Sequence, residues 1–302
     1  MDATVGVIVR TKNRPILLKR AIESVIRQTF QDWLMVIVND GGSVEEVENV
    51  LNMFPADFRN KVKMIHNNTS LGISQSANLG VRSITTRFLA IHDDDDSWSP
   101  EFLNIAVHSL ETMHAKYDQI RGVVARSNTV YEKLEGNIVT TDRVESLKYL
   151  SSGELVDIKD AMKENPFPSI SFLFYYETVD QVGLLDAELQ NADLIDWDFH
   201  KRFLFRYDVA MVPEYLAFRH VRISSSESYR NHSLLDIANQ KMLIELMLNQ
   251  QIRLAMERDF NRTVDYENSS TLLANQRLLE DLTKRQDEIM NYLKYIVAKL
   301  NR

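Results

Sequence analysis

Arg87-Phe88-Leu89-Ala90-Ile91-His92-Asp93-Asp94-Asp95-Asp96-Ser97-Trp98 carries a short apolar run straight into four adjacent carboxylates. A short apolar run bounded by polar residues reads as a buried strand, so the aspartates stand at its carboxyl end. Four like charges repel by about 1 kcal/mol per pair at 4 Å even in water, and a fold tolerates them there mainly when a cation compensates. Successive side chains of an extended segment alternate in direction. Asp93 and Asp95 are therefore expected to face one site, with Asp94 and Asp96 turned elsewhere or bonded to backbone at the next helix start. Carboxylate oxygens suit hard divalent ions such as Mg2+ or Mn2+. The competing reading is a solvated acidic turn that caps a helix.

Outward from this segment the chain alternates strands and helices. Val5 to Val9, Leu34 to Val38 and Val62 to Ile65 are short apolar runs, predicted as strands. Pro15 opens a segment with Leu17, Leu18, Ala21, Ile22, Val25 and Ile26 at helical spacing, and proline suits the first helical turn. Glu45 to Met53, Ser74 to Val81 and Pro100 to Met113 are the further predicted helices. Alternation at this pitch implies an α/β fold with a mainly parallel sheet and helices on both faces. Ligands of such sheets bind beyond the carboxyl ends of the strands. Thr11 to Arg14, Asn39-Asp40-Gly41-Gly42 and Asp93 to Asp96 fall there. Asp40 could accept from a ring N–H or a sugar hydroxyl, or simply belong to an Asp-Gly turn.

Downstream, Val123 to Tyr131 and Asn137 to Thr141 predict a hairpin about Glu135-Gly136. Ser151 to Met162 reads as loop, Phe167 to Tyr176 as β-prone, and Ala192 to Arg206 as helix. Val209 to Val212 is expected to be a short strand ending at Pro213. From about Leu234 glycine and proline are absent. Leu272, Leu279, Gln286, Leu293 and Leu300 alternate with Asn275, Leu282, Ile289 and Ile296 at three-four spacing, which predicts a coiled coil and a homo-oligomer, dimer or tetramer. The alternative is one amphipathic helix docked on its own domain. The expected domains are 1–225 for the α/β unit, 226–267 for a helical extension and 268–302 for the coiled coil.

Composition excludes several classes. No residue of the 302 is cysteine, which removes disulfide scaffolds, thiolate metal sites and thiol catalysis. Lys plus Arg number 35 against 43 Asp plus Glu, a net charge of -8 that argues against nucleic-acid binding. The amino terminus lacks a signal-peptide pattern and no apolar run is long enough to span a bilayer. No GxxxxGK[ST] loop or GxGxxG after the first strand is present, so P-loop and dinucleotide sites are not expected.

Val7-Ile-Val-Arg-Thr-Lys-Asn-Arg-Pro15, Ala21-Ile-Glu-Ser-Val-Ile-Arg-Gln-Thr29 and Val38-Asn-Asp-Gly41 together resemble the opening of family 2 glycosyltransferases of the GT-A fold. Leu71-Gly72 with Ala77-Asn78-Leu79-Gly80 continues the likeness. Asp93 to Trp98 is similar to the family's DxD region, and Val182 to Glu188 with Asp196-Trp-Asp-Phe199 to its acceptor-side block. The resemblance spans about residues 4 to 222. It implies a GT-A-type Rossmann-like domain, a nucleotide-diphosphate-sugar donor, Mn2+ or Mg2+, and inversion at the anomeric carbon. On it, Thr11, Asn13 and Asp40 would line the base and ribose pocket, with Arg14, Asn78 and Asp94 in the same donor set. Asp93 would lie near ribose and metal, Asp95 would ligate the metal, and His220 is the candidate for metal or diphosphate. Asp196 would be the general base that takes the acceptor's proton. Ile195 stands where relatives often carry Glu. The acceptor is expected to be a saccharide or glycolipid of surface-polysaccharide assembly. The enzyme is expected in the cytoplasm, with peripheral contact at the inner face of the membrane. Two rivals stay open. One is a silent scaffold of the same fold that organises partners through its coiled coil. The other is a sugar nucleotidyltransferase, which would want a glycine- and arginine-rich loop after the first strand.

Overall fold

In the computed structural model the described residues are 3–224 apart from 150, 152, 163 and 190, all within the first of two units, Met1–Ile244. The helical extension and the coiled coil expected beyond residue 225 lie outside the described residues.

The amino-terminal half runs β1 (Val5–Thr11), α1 (Pro15–Ile26), β2 (Trp33–Asn39), α2 (Val44–Leu51), β3 (Val62–His66), α3 (Ile73–Arg82) and β4 (Phe88–Asp93). Then come β5 (Ser97–Trp98), α4 (Phe102–Lys116) and the long hairpin of β6 (Ile120–Glu135) and β7 (Ile138–Ser146). Short helix α5 (Ile158–Ala161), β8 (Phe172–Tyr175), α6 (Val179–Val182), α7 (Ala192–Leu204) and β9 (Asp208–Ser224) complete it. The sheet order is β3-β2-β1-β4-β8-β6-β9-β5, with β7 on the side of β6.

The apolar runs become interior strands because both faces are covered. Val5, Val7, Ile8 and Val9, Met35 to Val38, and Phe88 to Ala90 are all essentially inaccessible, as uninterrupted runs in parallel sheets tend to be. Helix α1 starts with Pro15 in its first turn and buries Leu17, Leu18, Ala21, Ile22 and Val25. Helix α2 is capped by Ser43, whose Oγ accepts from the Glu46 amide at 3.2 Å.

Strands β3, β2, β1 and β4 are parallel neighbours, as expected, whereas the other half is mixed. The chain leaves β1 toward β2 and β3, then returns to β4 on the opposite side of β1. This is a topological switch point, which opens a crevice beyond the strand ends. Thr11 pairs with Asn39 and Arg10 with Asp93, so three loops meet at one rim.

Three local expectations change. Ser151 to Met162 contains α5, and only the last part of Phe167 to Tyr176 is strand, following a 3-10 turn at Ser169–Ser171. Strand β9 does not stop at Pro213. Val212 pairs with Ala125 and Tyr215 with Arg126, so Pro213 falls in an irregularity where no ladder N–H is required. The continuation carries Arg219, His220 and Arg222 back along β6 to the aspartates.

Candidate active site

A cleft of about 930 Å³ opens at the switch point, lined by the ends of β1 and β4, the loop after β2, helix α7 and β9. It gathers Thr11, Asn13, Arg14, Asp40, Asp93 to Asp96, Asp196 and His220. Asn78 is the one expected donor residue that does not line it. Its amide clamps Leu185 instead, donating to the carbonyl at 2.7 Å and accepting from the N–H at 3.0 Å. Buried Asn78 uses its polar atoms to fix the chain entering α7.

The aspartates follow the strand only as far as Asp93. The chain then turns, with the Asp96 amide reaching the Asp93 carbonyl at 3.2 Å, and β5 sets off along β9. Trp98 anchors that departure by donating to the Ile170 carbonyl at 2.6 Å and stacking on Phe102. The turn replaces the expected alternation. Oxygens of Asp93, Asp95 and Asp96 come within 4.8 Å of one another, and Asp94 accepts from Thr11 Oγ1 at 2.7 Å. Asp96 is thus a site residue that alternation excluded, and Asp94 is braced to β1 rather than turned away.

The cations that compensate this charge come from the protein. Arg10 meets Asp93 at 2.6 Å, Arg14 reaches Asp94 at 3.3 Å and Asp95 at 3.4 Å, and buried Arg222 pairs with Asp95. The compensating cation that the charge run called for is thus supplied in part by the protein: arginines on β1, the following loop and β9 balance much of the charge. Burial pushes Asp94 up to about 6. Burial also pushes Asp96 well above the carboxylate range, with the charges of Asp95 and Asp93 adding to it. At Asp95 burial is outweighed by Arg222 and Arg14, which hold it at about 2.

Asp196 projects from α7 into the cleft. Burial and then the nearby charge of Asp93 push it up to about 7. Asp198, two residues on, is buried away from the cleft and accepts from Arg202 Nε at 2.7 Å. Ile195 is fully buried in the core, so an acidic neighbour at that position would point away from the cleft. Asp193, one helical turn before Asp196, lines the cleft and lies 3.4 Å from Arg219. Sequence reasoning missed Asp193, although i, i+3 spacing on a helix puts two residues on one face.

At the other end of the cleft Asp40 holds the 67–72 loop. Its Oδ1 accepts from Asn67 at 3.0 Å and the Leu71 amide at 2.7 Å. Its Oδ2 accepts from Ser70 Oγ at 2.7 Å and the Gly72 amide at 3.0 Å. These bonds outweigh burial and keep Asp40 at about 2. Asn13 sits at φ 53°, a left-handed conformation that asparagine tolerates, and its Oδ1 accepts from the Ser43 amide at 2.9 Å. His220 has Nδ1 2.9 Å from Glu132 Oε2 and Nε2 2.8 Å from Ser97 Oγ, and its amide donates to Asp96 at 2.9 Å. Burial lowers its basicity.

The chain is similar to known proteins. The model of glycosyl transferase family 2 matches residues 6–158, just over half of the chain. The uncharacterized glycosyltransferase YwdF of Bacillus subtilis is 25% identical over 213 residues, 69% of this chain and 71% of that protein. The Escherichia coli UDP-Glc:alpha-D-GlcNAc-diphosphoundecaprenol beta-1,3-glucosyltransferase WfgD is 23% identical over 181 residues, 58% of this chain and 66% of that one. The mannosyltransferase PcManGT of Pyrobaculum calidifontis, solved with GDP-Man and Mn2+, superposes with a TM-score of 0.54 at 13% identity, covering 99% of this chain and 75% of that one, and so agrees in fold. With the matching family model, the parallel switch-point sheet and the acidic turn beyond β4, the chain belongs to glycosyl transferase family 2.

Proposed function

We propose that this glycosyltransferase is an inverting enzyme that moves a sugar from a nucleotide diphosphate sugar to a hydroxyl acceptor. The observation that carries the reading is Asp196. It is a carboxylate pushed up to about 7, in the same cleft as the acidic turn. A base of that strength is matched to near-neutral conditions and can take the acceptor's proton as the hydroxyl attacks. Asp193 and Arg219 beside it are suited to hold sugar hydroxyls.

The carboxylate oxygens of Asp93, Asp95 and Asp96 form a hard-donor set close enough to share one ion. Mn2+ or Mg2+ fits that set, with His220 as a neighbouring ligand candidate, and would supply Lewis-acid stabilisation of the departing diphosphate. Arg10, Arg14 and Lys12 line the same cleft and would face phosphate oxygens. Thr11, Asn13 and Asp40 are assigned to the base and ribose end, where a pyrimidine N–H would take the place of one loop donor on Asp40.

A uridine donor is favoured, because uracil offers a carboxylate one ring N–H, and a UDP-glucose-dependent relative supports it. That relative acts on a diphosphoundecaprenol-linked sugar, which supports a lipid-linked or polysaccharide acceptor here. No described helix is long and apolar enough to cross a membrane. A thermal-shift panel of UDP-, GDP- and dTDP-sugars with Mn2+ tests the choice, since a true donor stabilises by mass action. UDP-sugars are expected to give the largest shift, and GDP outcompeting UDP would overturn the assignment.

A further inference from the structure

Behind the acidic turn lies a carboxylate that the transfer reading does not use. Glu132 is 1% exposed, deep on β6, and faces three donors from two other elements. Arg20 of α1 reaches its Oε2 at 2.7 Å and Oε1 at 3.2 Å, Arg222 of β9 reaches Oε1 at 3.5 Å, and His220 Nδ1 lies 2.9 Å from Oε2. The register of β6 on β9 sets Glu132 beside Arg222 and Val130 beside His220. Both arginines continue to Asp95: Arg222 pairs with its carboxylate, and Arg20 donates to its backbone carbonyl. Glu132 therefore touches the acidic turn by two routes and the histidine by a third.

An ionised carboxylate only accepts hydrogen bonds, and a neutral imidazole has one N–H. With two cationic guanidiniums on it, Glu132 is ionised, so the proton between it and His220 belongs to Nδ1. The other nitrogen, Nε2, then carries a lone pair and accepts from Ser97 Oγ, next in the chain to Asp96. We infer that Glu132 is a positioning residue that locks His220 in the Nδ1–H tautomer and so keeps an Nε2 lone pair at the wall of the cleft, held here by the Ser97 hydroxyl and offered to the divalent ion when that hydroxyl rotates away. Carboxylate partners of metal-bound histidines act in this way, and losing one typically weakens metal binding 10–100-fold.

The metal half of this inference rests on the ion site proposed above, whereas the tautomer half does not, and the two are measured separately. In 15N-histidine-labelled full-length protein without metal, the seven histidines are resolved by long-range 1H–15N NMR, with His220→Gln identifying the site. His220 is expected as the neutral Nδ1–H form, and an Nε2–H form would overturn the proposal whether or not Glu132→Gln folds. In parallel, Mn2+ is titrated by EPR in the presence of UDP. Glu132→Gln, which cannot accept from all three donors, is expected to weaken Mn2+ at least tenfold while metal-free UDP affinity stays within about twofold. Equal Mn2+ affinity in the two proteins would overturn it. A wild type that takes up no Mn2+ but shows the Nδ1–H form would defeat the metal reading and uphold the tautomer assignment.

Discussion

Asp196 and Asp198 stand two residues apart on α7 and have different fates, because a helix turns about 100° per residue. Asp196 meets the cleft, while Asp198 is buried against Arg202, which also donates to the Val182 and Leu184 carbonyls. Asp196→Asn is expected to lower kcat by roughly a hundredfold or more, the range for a lost general base, with donor affinity by calorimetry nearly unchanged. The base must be unprotonated to work, and its folded value is about 7. The activity of the wild type should therefore fall as pH drops through about 7, and this limb should vanish from the residual rate of the variant. Asp198→Ala should instead act on stability. It leaves part of a buried guanidinium unsatisfied, at a cost of about 1–3 kcal/mol, read as a lower Tm. An Asp198→Ala protein as stable as the wild type but inactive would reverse the two roles.

At the scale of elements, two loops make the site, and each is held by side chains from distant segments. The 67–72 loop hangs on Asp40, at the turn where Gly41 sits at φ +73°. A Cβ there would lie 2.6 Å from the Ser70 amide nitrogen, which is backbone and cannot step aside cheaply. Gly41→Ala is expected to cost more than about 1 kcal/mol, since both the dihedral and the contact oppose it, and to weaken nucleotide binding by opening the base end of the cleft. Calorimetric UDP affinity equal to that of the wild type would refute the loop's role. The acidic turn is held by Arg10, Arg14 and Arg222. Removing one partner of a buried pair costs about 3–5 kcal/mol. Arg222→Met should therefore destabilise the fold at low metal concentration by up to about that much, because it leaves Asp95 to Arg14 and Arg20 and leaves Glu132 to Arg20 and His220. Denaturant unfolding with and without Mn2+ checks this, and a bound cation should recover part of the loss.

For the whole molecule, every residue assigned to donor, ion or base lies at or before His220, within the described unit. The seam of Leu272, Leu279, Leu293 and Leu300 lies outside the described residues and rests on its heptad spacing alone. Deleting residues 268–302 is expected to leave UDP affinity unchanged and to lower the oligomeric order seen by light scattering. A monomeric full-length chain at micromolar concentration would return the tail to a helix docked on its own domain.

Sequence by itself determined whatever depends on local pattern. Strands β1 to β4 and helices α1 to α4 followed from apolar runs, 3.6-residue spacing and Pro15, and the strand-end location of the site followed from their alternation; the two-residue β5 did not. The β6–β7 hairpin was legible in Glu135-Gly136. Tertiary structure decided which charges meet. Arg222 and Asp95 are separated by 127 positions, and Glu132 and His220 by 88. No periodicity links such residues. They meet because β9 passes through the Pro213 irregularity and continues beside β6, which a proline read locally did not foretell. The same holds for Asn78, whose place in a family-like motif suggested the donor pocket and whose burial against Leu185 gave it to the fold. Backbone pattern is written over a few residues, whereas the partner of a buried charge is set by strand register across the sheet.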